Sequence, residues 1–335
     1  MAYKVLLTID VEDWFQVENF KEYIPFSSWH TFELRVEKNT YRLLDILDSV
    51  KPNNIIASSN PSNSSNPMNL HPVKFFEKDS EVYPVGPEDR TGANLTGASN
   101  PSNNLRATFF VLGWLAEKLP NLVREIQSRG HEVASHGYNH KLCTKESHEG
   151  LSSDLLKSKK LLEDITGRQI YGYRAPSFSI DNDSFKIIED CGYTYDSSFN
   201  SFGMHGRYGH VNLSSRKKAG IAYTISDTLY EIPISNLVIG KIILPWGGGG
   251  YFRLVPYPAF RYGVRSILTH DGAYMFYMHP WEIDPGQPRV KQAAMFYKFR
   301  HYINIERAEK KLKRLIKDLD HCSFVNCNRY IEGIR

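Results

Sequence analysis

Hydrophobic positions along the chain alternate between short continuous runs and the three-and-four spacing of an amphipathic helix. Lys4 to Ile9, Ala107 to Leu112, His131 to Ser135 and Tyr171 to Arg174 read as strands, the first as Val5-Leu-Leu-Thr-Ile9. Between and after them, Tyr41 to Val50, Leu115 to Arg129, Leu151 to Thr166 and Ser184 to Cys191 carry helical spacing. Strand and helix taking turns predicts a parallel sheet or barrel with helices outside it. From about Tyr208 the pattern turns irregular, with one further apolar strand at Ala273 to Met278. The run Leu244-Pro-Trp-Gly-Gly-Gly-Gly-Tyr-Phe-Arg253 predicts a loop whose backbone closely approaches either substrate or another strand.

Two stretches stand apart from this alternation. Residues 51–104 are rich in Asn, Ser, Pro and Gly and echo themselves in Ala57-Ser-Ser-Asn-Pro-Ser-Asn63 and Ala98-Ser-Asn-Pro-Ser-Asn-Asn104. Such a composition buries too little apolar surface to offset its ordering entropy, so a surface insertion is expected. Residues 285–335 form a C-terminal extension with an amphipathic helix and a final strand. In that helix Ile305, Ala308, Leu312, Leu315, Ile316 and Leu319 share one face, and Lys and Arg cover the other. A solvated basic face is the first reading, and peripheral contact with an anionic membrane or glycan is the second. The barrel itself is assigned to residues 1–50 and 105–284.

Composition narrows the function. The 335 residues are 41% hydrophobic, enough for one large α/β core. A net charge of +4, evenly spread, argues against a nucleic-acid partner. Met1-Ala-Tyr-Lys4 leads straight into a strand, with no apolar segment of signal-peptide length and no run long enough to span a bilayer. The four cysteines, Cys143, Cys191, Cys322 and Cys327, lack zinc-pair spacing and read as reduced, buried thiols. A cytoplasmic protein is expected.

The chemistry gathers at predicted strand ends. Where nucleotide-binding folds place glycines after the first strand, this chain has acids, Asp10-Val-Glu-Asp-Trp14. In Ser135-His-Gly-Tyr-Asn-His140 two histidines stand four residues apart, a spacing that brings two imidazoles to one divalent ion. A catalytic site of this kind takes a carboxylate as third ligand, and Asp10, Glu12 and Asp13 are the candidates, one of them remaining as the base. Asp10, at the strand terminus, is assigned as that base, while Asp13 also suits a helix cap. One ion is expected, with zinc preferred. Arg174, before the turn Ala175-Pro-Ser177, can hold a catalytic carboxylate. His279, ending an apolar strand, can protonate a leaving amine, and Asp196 is either its carboxylate partner or a turn residue.

In order, Thr8-Ile-Asp-Val-Glu-Asp-Trp14, His136-Gly-Tyr-Asn-His140, Arg174-Ala-Pro-Ser177 and Met278-His279 resemble the motifs of the NodB-homology polysaccharide deacetylases, carbohydrate esterase family 4, over roughly Val5 to Asp284. The resemblance is strongest to the subgroup associated with exopolysaccharide gene clusters. It implies a distorted (β/α) barrel with an irregular C-terminal extension, Asp10 as base, His136 and His140 as metal ligands, His279 as acid, and a backbone N–H near Ser177 in an oxyanion hole. The family's second aspartate falls on Val11. Glu12, on the same side of extended backbone as Asp10, is preferred over Asp13 as third ligand. The implied reaction removes N-acetyl groups from amino sugars of an oligosaccharide or lipid-linked glycan, with Trp14, Tyr138, Phe178, Trp246 and Tyr251 available to stack on sugar rings. Hydrolysis of a cyclic amide, O-acetyl ester cleavage and glycan binding without turnover are the rival readings.

Overall fold

A computed structural model describes residues 3–49, 105–202 and 209–335. The predicted insertion at residues 51–104 therefore lies outside the described residues.

The strands are β1 (Lys4–Val11), β2 (Thr108–Val111), β3 (Glu132–Ser135), β4 (Gly172–Tyr173), β5 (Tyr195–Asp196), β6 (Lys218–Ala219), β7 (Ala222–Thr224), β8 (Tyr230–Glu231), β9 (Asn236–Ile239), β10 (Ile242–Pro245), β11 (Ala273–Met278) and β12 (Ser323–Phe324). The main sheet runs β11-β1-β2-β3-β4-β5-β8-β7-β6, parallel from β11 through β8 and antiparallel at its last two pairings. It is a distorted (β/α) barrel, left open between β6 and β11 in the strand pairings of the described residues. β1 sits between two parallel neighbours and is buried on both faces, which is why it reads as a nearly continuous apolar run. Its alternation sorts the sides. Val5, Leu7, Ile9 and Val11 pack with the helices, and Leu6 packs with Phe110, Ala134 and Met275 inside the sheet's curve.

The α-helices are α1 (Val36–Ser49), α2 (Gly113–Lys118), α3 (Pro120–Ser128), α4 (His148–Thr166), α5 (Asn182–Asp190), α6 (Gly249–Leu254), α7 (Tyr257–Asp271), α8 (Met295–Tyr302), α9 (Ile305–Asp318) and α10 (Cys327–Glu332). The single helix expected over Leu115 to Arg129 is two. Pro120 forces Leu119 out of helical geometry, to φ −128° and ψ 55°, and then starts α3 at its first position. α1 begins five residues before the expected Tyr41, because the Asp13 carboxylate accepts the N–H groups of Arg35 and Val36 and so caps the helix from outside.

The glycine run is not one loop. β9 and β10 form a hairpin, and Gly249 and Gly250 open α6. The close approach that it predicts is to protein: Gly248 bridges Tyr277 in β11, and a Cβ on Gly249 would lie 1.9 Å from the Glu282 carboxylate.

The C-terminal residues are part of the same compact unit. β12, the final strand among the described residues, follows the amphipathic helix and pairs with β1, and the helix α10 comes after it. Ile305, Ala308, Leu312, Leu315 and Ile316 of α9 are buried, so that helix has no apolar face left for a membrane. No described helix is long and apolar enough to cross one.

Candidate metal centre and active site

β1 places Asp10 at its carboxyl end, and Glu12 follows one residue past the strand. Just beyond, the Glu12 N–H bonds to the Asp10 carbonyl (2.9 Å), a tight turn that ends the strand. One carboxylate oxygen of Glu12 stands 2.8 Å from His136 Nε2 and 3.0 Å from His140 Nε2. All three side chains are buried, and their ligand atoms lie within 4.8 Å of one another. His136 Nδ1 sits 2.7 Å from the Arg174 carbonyl, which fixes the tautomer with Nδ1 as donor and leaves Nε2 as a lone-pair ligand facing Glu12. His140 reaches the cluster in left-handed backbone geometry, φ 54°. The turn that carries it is gripped by Asp154 of α4, whose two oxygens accept the N–H groups of Tyr138 (2.7 Å) and Asn139 (3.1 Å). Two imidazoles and one carboxylate, buried and convergent, are a donor set suited to a divalent ion such as zinc.

Asp13 is not part of this cluster. Its carboxylate accepts from Trp14 (2.9 Å), Arg35 (2.6 Å) and Val36 (2.9 Å), so it serves the fold. Burial pushes its carboxyl up to about 6 despite those three donors.

Arg174 is fully buried and holds Asp10 at 2.7 Å. Its other donors reach Thr8 Oγ1 (2.7 Å), the Ser197 carbonyl (2.9 Å) and Ser197 Oγ (2.8 Å), so the guanidinium is fixed before it meets the carboxylate. The next turn strains Ser177 and Phe178 into left-handed geometry, φ 53° and 58°. There the N–H groups of Phe178 and Ser179 bond to Ala175 and Pro176, while that of Ser177 has no acceptor among the described residues.

His279 closes the opposite wall, its Nε2 3.9 Å from Glu12. Its carboxylate partner is Glu282, 3.4 Å from Nδ1, which Arg253 of α6 holds at 3.0 Å. Burial works to lower the His279 pKa, but Glu12 and then Glu282 outweigh it and raise the imidazole to about 9. Burial likewise opposes ionisation of Glu12, and the neighbouring charge of His140 overcomes it, holding that carboxyl well below its ordinary value. Asp196 is not the partner of His279. It accepts from the Ser198 hydroxyl (2.6 Å) and backbone (3.1 Å) and lies against Glu231, both carboxyls pushed up by burial.

A cavity of about 150 Å³ joins these groups, with Asp10, Glu12, both ligand histidines, Ser177, Phe178 and His279 in its wall. The other aromatic residues expected at the site do not line it. Trp14 packs edge-on against Phe15 and Phe32, Trp246 stacks on Phe260 and donates to its carbonyl, Tyr138 donates to Glu117, and Tyr251 meets Phe202. Sequence reasoning missed Glu282, Arg253 and Asp154. Only Glu282, three residues after His279 in His-Pro-Trp-Glu, carried a local signal, that of a helix-start carboxylate.

A parallel barrel with two histidines and paired carboxylates at the carboxyl ends of its strands has the layout of a hydrolase scaffold with a divalent-metal donor set. Comparison with known proteins makes the class specific. Residues 101–195 match the polysaccharide deacetylase family model, and residues 197–331 match a domain of unknown function, DUF3473. Over residues 101–195 the chain is thus similar to the polysaccharide deacetylases. It is 36% identical over 93 residues to a peptidoglycan deacetylase-like protein of Gibberella zeae, covering 28% of each chain. Against a peptidoglycan-N-acetylglucosamine deacetylase of Bacillus cereus it is 33% identical over 87 residues, 26% of this chain and 40% of that one. The matched region thus spans between about a quarter and two-fifths of these relatives' length. A Mycobacterium smegmatis structure described as a candidate polysaccharide deacetylase superposes with a TM-score of 0.55 at 16% identity, over 99% of this chain and 90% of that one, a likeness of fold. The site draws on both matched segments: His136, His140 and Arg174 fall in the first, and Arg253, His279 and Glu282 in the second.

Proposed function

We propose that the protein is a metal-dependent hydrolase that removes N-acetyl groups from amino sugars of a polysaccharide or of its lipid-linked precursor. The observation that carries this reading is the convergence of Glu12, His136 and His140 in one buried cavity with Asp10 and His279. Those three residues would hold the ion, zinc by donor type, whose Lewis acidity would activate both water and the acetamide carbonyl. The protein's own groups do the rest. Asp10, oriented by Arg174, takes the proton of the attacking water. The Ser177 N–H is available to the oxygen that gains charge as water adds to the carbonyl carbon. His279, oriented by Glu282, gives a proton to the nitrogen as the C–N bond breaks, leaving acetate and a free sugar amine.

Acetate release from N-acetylglucosamine oligomers, by wild type and His279→Asn, tests the reading. A loss of roughly 100-fold or more in kcat is expected, the usual worth of a positioned general acid. An O-acetylated sugar should suffer less from the same change, because an alkoxide needs less help in leaving than an amine. Binding of the oligomers with no turnover by metal-loaded wild type would instead favour a glycan-binding protein. A cytoplasmic site of action and a role in exopolysaccharide synthesis belong to the same proposal. Cell fractionation tests the first, and the buried, unpaired Cys143, Cys191, Cys322 and Cys327 are compatible with it.

A further inference from the structure

We infer that α8 docks the protein on an anionic lipid bilayer, beside the mouth of the candidate active site. On this two-turn helix Met295, Phe296 and Phe299 are 81%, 63% and 52% exposed. At about 100° per residue they share one stripe, opposite the buried His301. The same spacing sets Lys298 along one border of the stripe and Arg300 along the other. That is the arrangement of an interfacial helix, whose apolar side chains enter the acyl boundary while flanking cations reach the headgroups.

Charge favours a membrane over a protein partner. From Pro285 to Ile305 the chain holds Arg289, Lys291, Lys298 and Arg300 and not one Asp or Glu. Arg289 and Lys291, on the approach to α8, are exposed. α9, the more basic helix by sequence, cannot play this part, because its apolar face is buried.

The helix is also tied to the site. His301 stacks on Trp281 (ring centroids 4.1 Å apart, 11° between planes), and Trp281 stacks on His279 (5.1 Å, 22°). Arg300 and His301 both reach the cavity wall. A protein seated on α8 therefore holds its cavity within one helix of the membrane surface, where a lipid-anchored glycan would be found. That last step rests on the deacetylase reading; the docking itself does not.

The test is sedimentation of the full chain with vesicles of phosphatidylcholine, with and without phosphatidylglycerol. Wild type is expected to bind the anionic vesicles at least ~10-fold more tightly, and less so at high salt. Phe296→Ser with Phe299→Ser should remove that binding by ~10-fold or more and leave both thermal unfolding and hydrolysis of a soluble oligosaccharide unchanged. Lys291→Gln with Lys298→Gln, which cannot disturb packing in the same way, should cost a few-fold per cation. A second exposed apolar patch, Val238 and Ile239 in the β9–β10 hairpin, provides the control. Loss of vesicle binding in Val238→Ser with Ile239→Ser but not in the α8 variants would overturn the proposal. So would a wild type indifferent to anionic lipid, or a self-association lost on changing Phe296 and Phe299, which would make the stripe a contact between copies of this chain.

Discussion

Glu12 and Asp13 are adjacent acids of nearly equal appeal in the sequence, and the structure gives them opposite duties. Asp13→Ala removes an acceptor from three backbone N–H groups, those of Trp14, Arg35 and Val36. At about 1.5 kcal/mol for each bond to a charged acceptor, the gross loss is roughly 4 to 5 kcal/mol. The change also relieves the burial of a carboxylate whose pKa has risen from 3.8 to about 6. That shift is already net of the three bonds, so at about 1.4 kcal/mol per unit the relief is worth at least ~3 kcal/mol at neutral pH, leaving a net loss of at most about 2 kcal/mol. With an unfolding entropy of about 0.7 kcal/mol/K for 335 residues, at ~2.1 cal/mol/K each, that lowers Tm by up to roughly 3 °C. Asp13→Asn, which keeps one acceptor and carries no charge to desolvate, should lose less than half as much. Neither variant should change the metal bound at saturation, as measured by elemental analysis, whereas Glu12→Gln should abolish tight binding. An Asp13→Ala protein that keeps its Tm but loses its metal would refute this division of labour.

Gly249→Ala puts a methyl 1.9 Å from Glu282, which must move and loosen its hold on His279; a fall in kcat larger than the rise in KM is expected, together with a lowered Tm. Glu231 is held well above its ordinary pKa by burial and then by Asp196 beside it. The folded state therefore binds this proton more strongly than the unfolded chain. The stabilisation is complete below about pH 4.5 and fades as pH rises toward the folded value, by at most ~1.4 kcal/mol per unit. Denaturant titrations of Glu231→Gln should show the variant gaining on wild type between pH 5 and pH 8, and a constant difference would contradict the assignment. Arg174→Met leaves Asp10 buried without its cation, so a loss of roughly 3 to 5 kcal/mol is expected in thermal or denaturant unfolding.

How far the sequence discloses this site follows from where its information is local. The apolar run ending in Asp10, the four-residue spacing of His136 and His140, and Arg174 before a proline-fixed turn are short-range patterns, and the structure brings these residues to one cavity. Glu282 and Arg253 meet across 29 positions, and Asp154 grips the histidine turn from a different helix, so no spacing rule exposes them. Aromatic residue type does not say which way a ring faces. Of the five rings expected to stack on sugars only Phe178 reaches the cavity, and Trp14, Tyr138, Trp246 and Tyr251 are spent on packing. The start of α1 is set by a carboxylate more than 20 residues upstream, which local helix propensity cannot report. The basic helix α9 is the converse case. Its charge pattern suggests a membrane surface, but burial of Leu312 and Leu315 removes the face that would be needed, and the exposed apolar stripe lies one helix earlier.

Metal content and acetate release, measured in one preparation of wild type and His136→Ala, test the central claim most directly. About one divalent ion per chain in the wild type, with acetate released from N-acetylglucosamine oligomers and both properties lost in the variant, is the predicted result. Acetate release at the wild-type rate from a His136→Ala protein that binds no metal would contradict it.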